Sequence, residues 1–223
     1  RDRYRCIAWD HRGQGRSEVS LDGYDMDTLT ADAATLIGRS GAAPVHFVGL
    51  SMGGFVGLRL ALRRPELLRS LTLIDTSAEP EPAANVPRYR LLNFVARWFG
   101  LGVVSGHVMP IMFGSSFLND PARAAERTEY RTRLAANDRI GVTRAVRGVI
   151  ERTGVASELH RIRLPTLILV GDEDVATVPA KSEAMQAAIG GARLVRIPRA
   201  GHTSTLENPA AVNAALREFF NAL

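Results

Sequence analysis

Short apolar runs recur along the chain and alternate with longer stretches in which apolar residues return at helical spacing. Five runs rich in Val, Ile, Leu and aromatic residues are predicted to be strands: Tyr4 to Asp10, Pro44 to Leu50, Ser70 to Thr76, Pro165 to Asp172 and Ala192 to Pro198. The second to fourth are almost continuously apolar, as in parallel strands that helices cover on both faces. Helices are predicted at Met26 to Arg39, Ser51 to Arg64, Pro179 to Ile189 and Pro209 to Ala222. The pattern therefore predicts an α/β fold with a mostly parallel sheet.

This alternation stops between residues 76 and 159. A proline-rich segment, AEPEPAANVP, is followed there by helix-like segments that carry many aromatic residues and methionines. We expect these large side chains mainly to form the packing core of a helical insertion: Tyr89, Phe94, Trp98, Phe99, Met109, Met112, Phe113 and Phe117. The flanking residues, 1–75 and 160–223, then form the α/β core.

Composition and charge narrow the function classes. The formal net charge is +5, but the arginines are scattered among acids and no basic run has interleaved aromatics, so the sequence does not favour nucleic-acid binding. No apolar stretch reaches the length of about 18 residues typical of a membrane span, and the first residues lack the apolar core of a signal peptide. We therefore expect a cytoplasmic protein that contacts neither nucleic acid nor a membrane.

Nothing in the sequence indicates a metal or cofactor. Four histidines are isolated from one another and from any cysteine cluster: His11, His46, His107 and His160. The run GQGRSE has two glycines of a dinucleotide-binding fingerprint, but Glu18 stands where the third should be. The single cysteine, Cys6, is expected to pack as a small buried hydrophobe without a chemical role.

A Gly-x-Ser-x-Gly pentapeptide, residues 49–53, stands where an apolar run ends and a helical pattern begins. A sharp strand-to-helix turn strains the backbone of such a serine and lifts its hydroxyl clear of the sheet. Gly49 and Gly53 are expected because a side chain at either place would collide with the neighbouring strand or helix. The alternative is that Ser51 only caps the N-terminus of the helix.

A nucleophilic serine needs a base to take its proton and an acid to orient that base. His202 lies in the loop between the last predicted strand and the last predicted helix. Three acids directly follow the fourth predicted strand, and spacing alone does not separate them: Asp172, Glu173 and Asp174. A serine, an acid and a histidine are thus all available at the carboxyl ends of predicted strands.

Four motifs occur in order along the chain: DHRGQGRS at 10–17, GLSMGG at 49–54, GDEDVATVP at 171–179 and GHTSTLENP at 201–209. In these motifs the chain resembles the α/β-hydrolase fold family over essentially its whole length. The similarity is to the branch of esterases, lactonases and carbon–carbon bond hydrolases, and most of all to 3-oxoadipate enol-lactonases. The resemblance implies that residues 76–159 form a helical cap on the core.

The resemblance also implies roles for individual residues. Ser51 would be the nucleophile, His202 the base and Asp174 the acid, because the family's acid stands three residues after a glycine. Asp75 competes for the acid's role, since some members of the fold carry it after the preceding strand. The backbone N–H of Met52 is expected to donate a hydrogen bond to the oxyanion.

These residues predict a serine hydrolase without a cofactor that cleaves a small, largely apolar carboxylic ester or lactone. The same residues would serve a carbon–carbon bond hydrolase or a cofactor-free haloperoxidase. A hypothesis from a different class is a ligand-binding module with the same fold and little turnover.

The resemblance carries one further expectation, about the N-terminal end. The family pattern places two or three strands before Tyr4, and one of them, with a His-Gly pair, supplies a second oxyanion amide. That strand lies between the strands that correspond to Tyr4 to Asp10 and Pro44 to Leu50. We expect the sequence to lack about 30 to 50 residues of this pattern, or else Tyr4 to Asp10 to pair directly with Pro44 to Leu50.

Overall fold

A parallel four-stranded sheet runs through the computed structural model, which describes residues 3–223. Its strands are β1 Val45–Leu50, β2 Leu68–Ile74, β3 Thr166–Gly171 and β4 Arg193–Ile197, and they lie side by side in chain order. Leu73 of β2 is in register with Gly49 of β1 and with Ile168 of β3. The sheet and its flanking helices confirm the predicted α/β class.

Ten α-helices accompany the sheet in the described residues. They are α1 Met26–Arg39, α2 Met52–Arg63, α3 Val86–Phe99, α4 Leu101–Met112, α5 Ser115–Asn119, α6 Ala124–Ala136, α7 Arg139–Ile150, α8 Pro179–Ala188, α9 Ser204–Glu207 and α10 Pro209–Asn221. Short 3-10 turns lie at Pro65–Leu67, Pro121–Arg123 and Ala156–Arg161. Asn208 caps α10 as its sequence suggests, because its side chain accepts a hydrogen bond from the N–H of Ala211.

The two faces of the sheet are covered by different helices. Ile168 of β3 belongs to the larger apolar cluster, which packs α1, α2 and α8 against one face. Its neighbours Leu167 and Leu169 belong to a second cluster with α10 on the opposite face. Since successive side chains of a strand point to opposite faces, burial on both sides explains the continuous apolar run.

The segment from Tyr4 to Asp10 differs from its prediction, because it forms no strand and does not pair with β1. It contacts the sheet through aromatic rings: Tyr4 lies 6.0 Å from His46, and Trp9 lies 5.9 Å from Phe47, between ring centroids. A β-prone sequence becomes a strand only where a partner accepts its backbone hydrogen bonds, and no strand among residues 3–223 does so. For the same reason Cys6 is exposed rather than buried.

The residues between β2 and β3 fold into the five helices α3 to α7. Phe113 and Phe117 form an apolar core there, stacked at 4.7 Å between ring centroids. Three of the other aromatic side chains predicted to fill this core are instead exposed: Phe94, Trp98 and Phe99. All three belong to α3, of whose residues only Ala96 is fully buried.

No helix among residues 3–223 is long and apolar enough to cross a bilayer.

Candidate active site

Ser51 lies at a sharp turn between β1 and α2. Its backbone has φ 50° and ψ −112°, in a region that residues other than glycine rarely adopt. Its side chain accepts no hydrogen bond from the first turn of α2, so the interpretation of Ser51 as a simple helix cap is wrong. The turn therefore leaves the hydroxyl free for a partner elsewhere.

The end of β2 holds this turn in place. The N–H of Ser51 donates to the carbonyl of Ile74 over 2.9 Å, and the Thr76 hydroxyl donates to the carbonyl of Ser51 over 2.8 Å. Strain at a single residue persists only where its surroundings fix the conformation. These two bonds from a buried strand supply that support.

Two close backbone approaches require glycine near the serine. A Cβ at Gly49 would lie 2.2 Å from the carbonyl oxygen of Gly53, as predicted. The prediction for Gly53 itself is wrong, since a Cβ built there meets no atom within 4 Å beyond its chain neighbours and the nearby backbone of its own helix. The second constrained glycine is Gly54, where a Cβ would lie 2.5 Å from the side chain of Thr76.

His202 contacts Ser51 from the loop between β4 and α9. Its Nε2 lies 2.8 Å from the Ser51 Oγ, and its Nδ1 lies 3.0 Å from Oδ2 of Asp174. The imidazole is buried, with 5% of the residue exposed. The three predicted residues, which are distant in the sequence, thus form one line of hydrogen bonds.

Asp174 is fixed by the turn that follows β3. Its Oδ1 accepts hydrogen bonds from the N–H groups of Ala176 and Thr177 at 2.8 and 2.9 Å, and its Oδ2 accepts one from the Thr177 hydroxyl at 2.7 Å. The neighbouring acids point elsewhere: Asp172 pairs with Arg196 at the surface, and Glu173 accepts a hydrogen bond from the N–H of Ser116 in α5. Of the three acids that spacing left open, Asp174 alone contacts His202.

The competing acid, Asp75, follows β2 and does not bond to His202. Its Oδ1 accepts from the N–H of Gly171 at 2.8 Å, and its Oδ2 accepts from the N–H and hydroxyl of Ser204 at 3.1 and 2.5 Å. Its carboxyl is completely buried. Asp75 is therefore not part of the serine–histidine–aspartate line; it bonds to the loops that carry two members of that line.

The contact between His202 and Asp174 moves both pKa values. Burial alone would raise the pKa of Asp174, but hydrogen bonds from His202 and Thr177 outweigh it and lower the pKa. Burial alone would lower the pKa of His202, but the hydrogen bond and charge of Asp174 outweigh it and raise the pKa. Asp174 is therefore ionised at neutral pH, and a positive charge on the imidazole is stabilised.

Met52, whose backbone N–H is predicted to donate a hydrogen bond to the oxyanion, is the first residue of α2. The N–H groups of the first helical turn have no acceptor within the helix, and the helix dipole adds a partial positive charge there. Met52 directly follows Ser51. Its N–H therefore belongs to a helix terminus that favours a negatively charged oxygen beside the serine hydroxyl.

Sequence reasoning missed two carboxylates that join these loops to the helical insertion. Glu207 accepts hydrogen bonds from the N–H groups of Gly201 and Gly114, at 2.9 and 2.8 Å. Glu173 accepts one from the N–H of Ser116 at 2.8 Å. The one signal for Glu207 was its place within the motif GHTSTLENP. The loop between α4 and α5 is therefore fixed against the loops that carry Asp174 and His202.

Metal binding would require several ligands in one place. Among residues 3–223, no three His, Cys, Asp or Glu side chains are grouped closely enough to hold an ion.

Comparisons with known proteins agree on one family. A family model described as alpha/beta hydrolase fold matches residues 1–209. The chain is 29% identical to a putative carbamate hydrolase, RutD, from Pseudomonas savastanoi pv. phaseolicola, over 97% of this chain and 83% of that protein.

Two solved structures extend the comparison. A thermophilic esterase from Thermogutta terrifontis has a TM-score of 0.87 and 30% identity, over 96% of this chain and 78% of that one. An enol-lactonase from Burkholderia xenovorans LB400 has a TM-score of 0.85 and 28% identity, over 95% and 79%.

The two glycines after Ser51 are expected to respond oppositely to a methyl group. Gly54→Ala forces a Cβ against Thr76 and should lower the free energy of unfolding by about 1–3 kcal/mol. Gly53→Ala meets open space in a helix and should leave stability unchanged or raise it by up to about 1 kcal/mol. Urea unfolding of both variants measures the difference, and equal destabilisation would contradict the assignment of Gly54 as the constrained position.

Proposed function

Since the chain belongs to the α/β-hydrolase fold family, we propose that it is a serine hydrolase of small, largely apolar carboxylic esters or lactones. The observation that carries the proposal is the line of hydrogen bonds from the Ser51 hydroxyl through His202 to Asp174. The similar proteins named as an esterase, an enol-lactonase and a carbamate hydrolase support hydrolysis at a carbonyl carbon.

In the first half of the reaction, the Ser51 Oγ attacks the carbonyl carbon of the substrate while His202 Nε2 takes the hydroxyl proton. Asp174 stabilises the imidazolium that forms, and the N–H of Met52 donates to the oxyanion of the tetrahedral intermediate. The intermediate collapses as the bond to the leaving oxygen breaks and His202 returns the proton to that oxygen. An acyl-enzyme on Ser51 and an alcohol are the products.

In the second half, water replaces the alcohol. His202 takes a proton from the water as its oxygen attacks the acyl carbon, and then returns a proton to the Ser51 Oγ as the carboxylic acid leaves. Each proton that His202 takes is given back within one half-reaction. The cycle therefore needs no cofactor.

The preference for an apolar substrate rests on the last turn of α4. The Thr203 hydroxyl, next to His202, donates to the carbonyl of Met112 over 2.9 Å, which holds this turn against the histidine loop. The sequence of α4 is LGVVSGHVMPIM and contains no acidic residue, lysine or arginine. The proposal places the acyl group of the substrate against this apolar helix end.

A panel of esters, lactones and vinylogous diketones tests the reaction class. We expect release of acid from the first two, at an initial rate that continues beyond one equivalent. Release that stops at one equivalent or less would favour the ligand-binding module, and turnover confined to the diketones would favour carbon–carbon cleavage.

Ser51 is expected to be the only serine that an organophosphonate modifies, because among the described serines its hydroxyl alone combines a histidine within hydrogen-bond distance with a helix N-terminus beside it. Mass spectrometry of the labelled chain identifies the site. Exposed Ser115 provides a matched control, since Ser115→Ala should label at the wild-type rate. Labelling that persists in Ser51→Ala would refute the assignment.

Asp174→Asn should lower kcat on the order of 10⁴-fold, since an amide enforces the wrong imidazole tautomer and removes the charge that stabilises imidazolium. The control is Asp172→Asn, whose side chain pairs with Arg196 at the surface and should cost less than about twofold. Asp75→Asn should cost far less than Asp174→Asn. The reverse ranking would assign the acid to Asp75.

The pH profile should follow the ionisation of His202, because only the neutral imidazole accepts the serine proton. Since the pKa of His202 is raised above its ordinary value of 6.5, kcat/KM for a neutral ester should rise with pH through a midpoint above 6.5. Asp174→Asn should move this midpoint down. A midpoint below 6.5 in the wild-type protein would show that His202 is not held by an ionised Asp174.

A further inference from the structure

Three consecutive residues at the end of β2 contact all three loops of the candidate site. Ile74 and Thr76 bond to the backbone of Ser51, as described above. Between them, Asp75 turns its carboxyl toward the other two loops, with its own backbone at φ 45°. A second strained residue thus stands one strand away from the strained serine.

The carboxyl of Asp75 joins the acid loop to the histidine loop. Gly171, which donates to its Oδ1, begins the turn whose fourth residue is Asp174, and the Gly171 carbonyl accepts from the N–H of Asp174 at 3.2 Å. Ser204, which donates twice to its Oδ2, is two residues after His202 and begins α9. One buried side chain thus sets the separation of the two loops that must present Asp174 to His202.

Burial of this carboxyl has an electrostatic cost. The pKa of Asp75 is raised to about 7, mainly by desolvation and also by the charge of Asp174. The bonds from Ser204 and Gly171 and the nearby His202 act in the opposite direction. The charge on Asp75 in turn helps to raise the pKa of His202, as do those of Asp174 and Glu207. A residue needed only to fill space would not require an acid at this cost.

We infer that Asp75 is a positioning residue for the serine–histidine–aspartate line: its carboxyl holds the backbones of Gly171 and Ser204, and thereby the contact between Asp174 and His202. Asp75 touches neither substrate nor the reacting atoms. This inference rests on the proposed function for its effect on turnover, but not for its effect on His202.

The experiment is a titration of His202 by NMR, together with kcat and KM for an ester. Asp75→Asn removes a negative charge near the imidazole and should lower the His202 pKa by roughly 0.5–1 unit. It should also lower kcat on the order of 10- to 100-fold with KM within about twofold, since misplaced catalytic groups reduce the rate more than binding. Asp172→Asn, on the loop that carries Asp174, should change neither the His202 pKa nor kcat.

Ser204→Ala gives a second measurement that does not depend on how well Asp75→Asn folds. The variant keeps the Asp75 carboxyl but removes one of its two bonds to the histidine loop, so kcat should fall while the His202 pKa falls less than in Asp75→Asn. A general loosening of the fold would not separate kcat from the His202 pKa in this way.

Three results would overturn the inference. They are an unchanged kcat and His202 pKa in both variants, a His202 pKa that falls as far in Ser204→Ala as in Asp75→Asn, and a loss of kcat in Asp75→Asn as large as in Asp174→Asn. Absence of turnover by the wild-type protein would instead defeat the proposed function, and the NMR titration would still decide whether Asp75 acts on His202.

Discussion

The candidate site depends on keeping Ser51 in a backbone conformation that L-residues avoid. Such a conformation costs roughly 1–3 kcal/mol, so the turn must be stabilised by its surroundings. Helix α2, which follows directly, buries Phe55, Val56, Leu58 and Leu60 almost completely. Each of these contributes roughly 1.5–3 kcal/mol relative to exposure, an upper estimate that still exceeds the strain when summed. Packing of α2 on the sheet therefore sets the direction of the serine hydroxyl.

Much of this fold could be predicted from local pattern. The limits of α1 agree with its predicted limits, and β1, β3 and β4 fall within the predicted runs, because burial on one or both faces leaves a direct trace in the spacing of apolar residues. β2 overlaps its predicted run but begins at Leu68, before the predicted start at Ser70. The segment from Tyr4 to Asp10 has an equally clear apolar pattern but forms no strand. Pairing is a property of two segments, and the pattern of one cannot show whether its partner is in reach.

The site was predictable in part. The positions of Ser51 and His202 followed from their places at element boundaries, whereas the choice among three consecutive acids depended on a turn that Thr177 closes through its N–H and hydroxyl. Gly54 was overlooked because its constraint comes from Thr76, in the segment that follows β2. The role of Glu207 depends on an N–H at Gly114, far away in the sequence. Contacts of this kind leave no periodic signal.

The bonds that Glu173 and Glu207 make to the loop after α4 bear on how such proteins diversify. An inserted helical segment is a natural unit to exchange between relatives, since it begins and ends at strand ends of the same sheet. Here the backbone N–H groups of its corner, at Gly114 and Ser116, donate to the side chains of Glu207, in the helix after the His202 loop, and of Glu173, next to Asp174. A chimera that replaces the insertion alone removes the donor that Glu173 has at Ser116 and the donor that buried Glu207 has at Gly114. An exchange between relatives should therefore succeed when the corner, Glu173 and Glu207 are all taken from one parent.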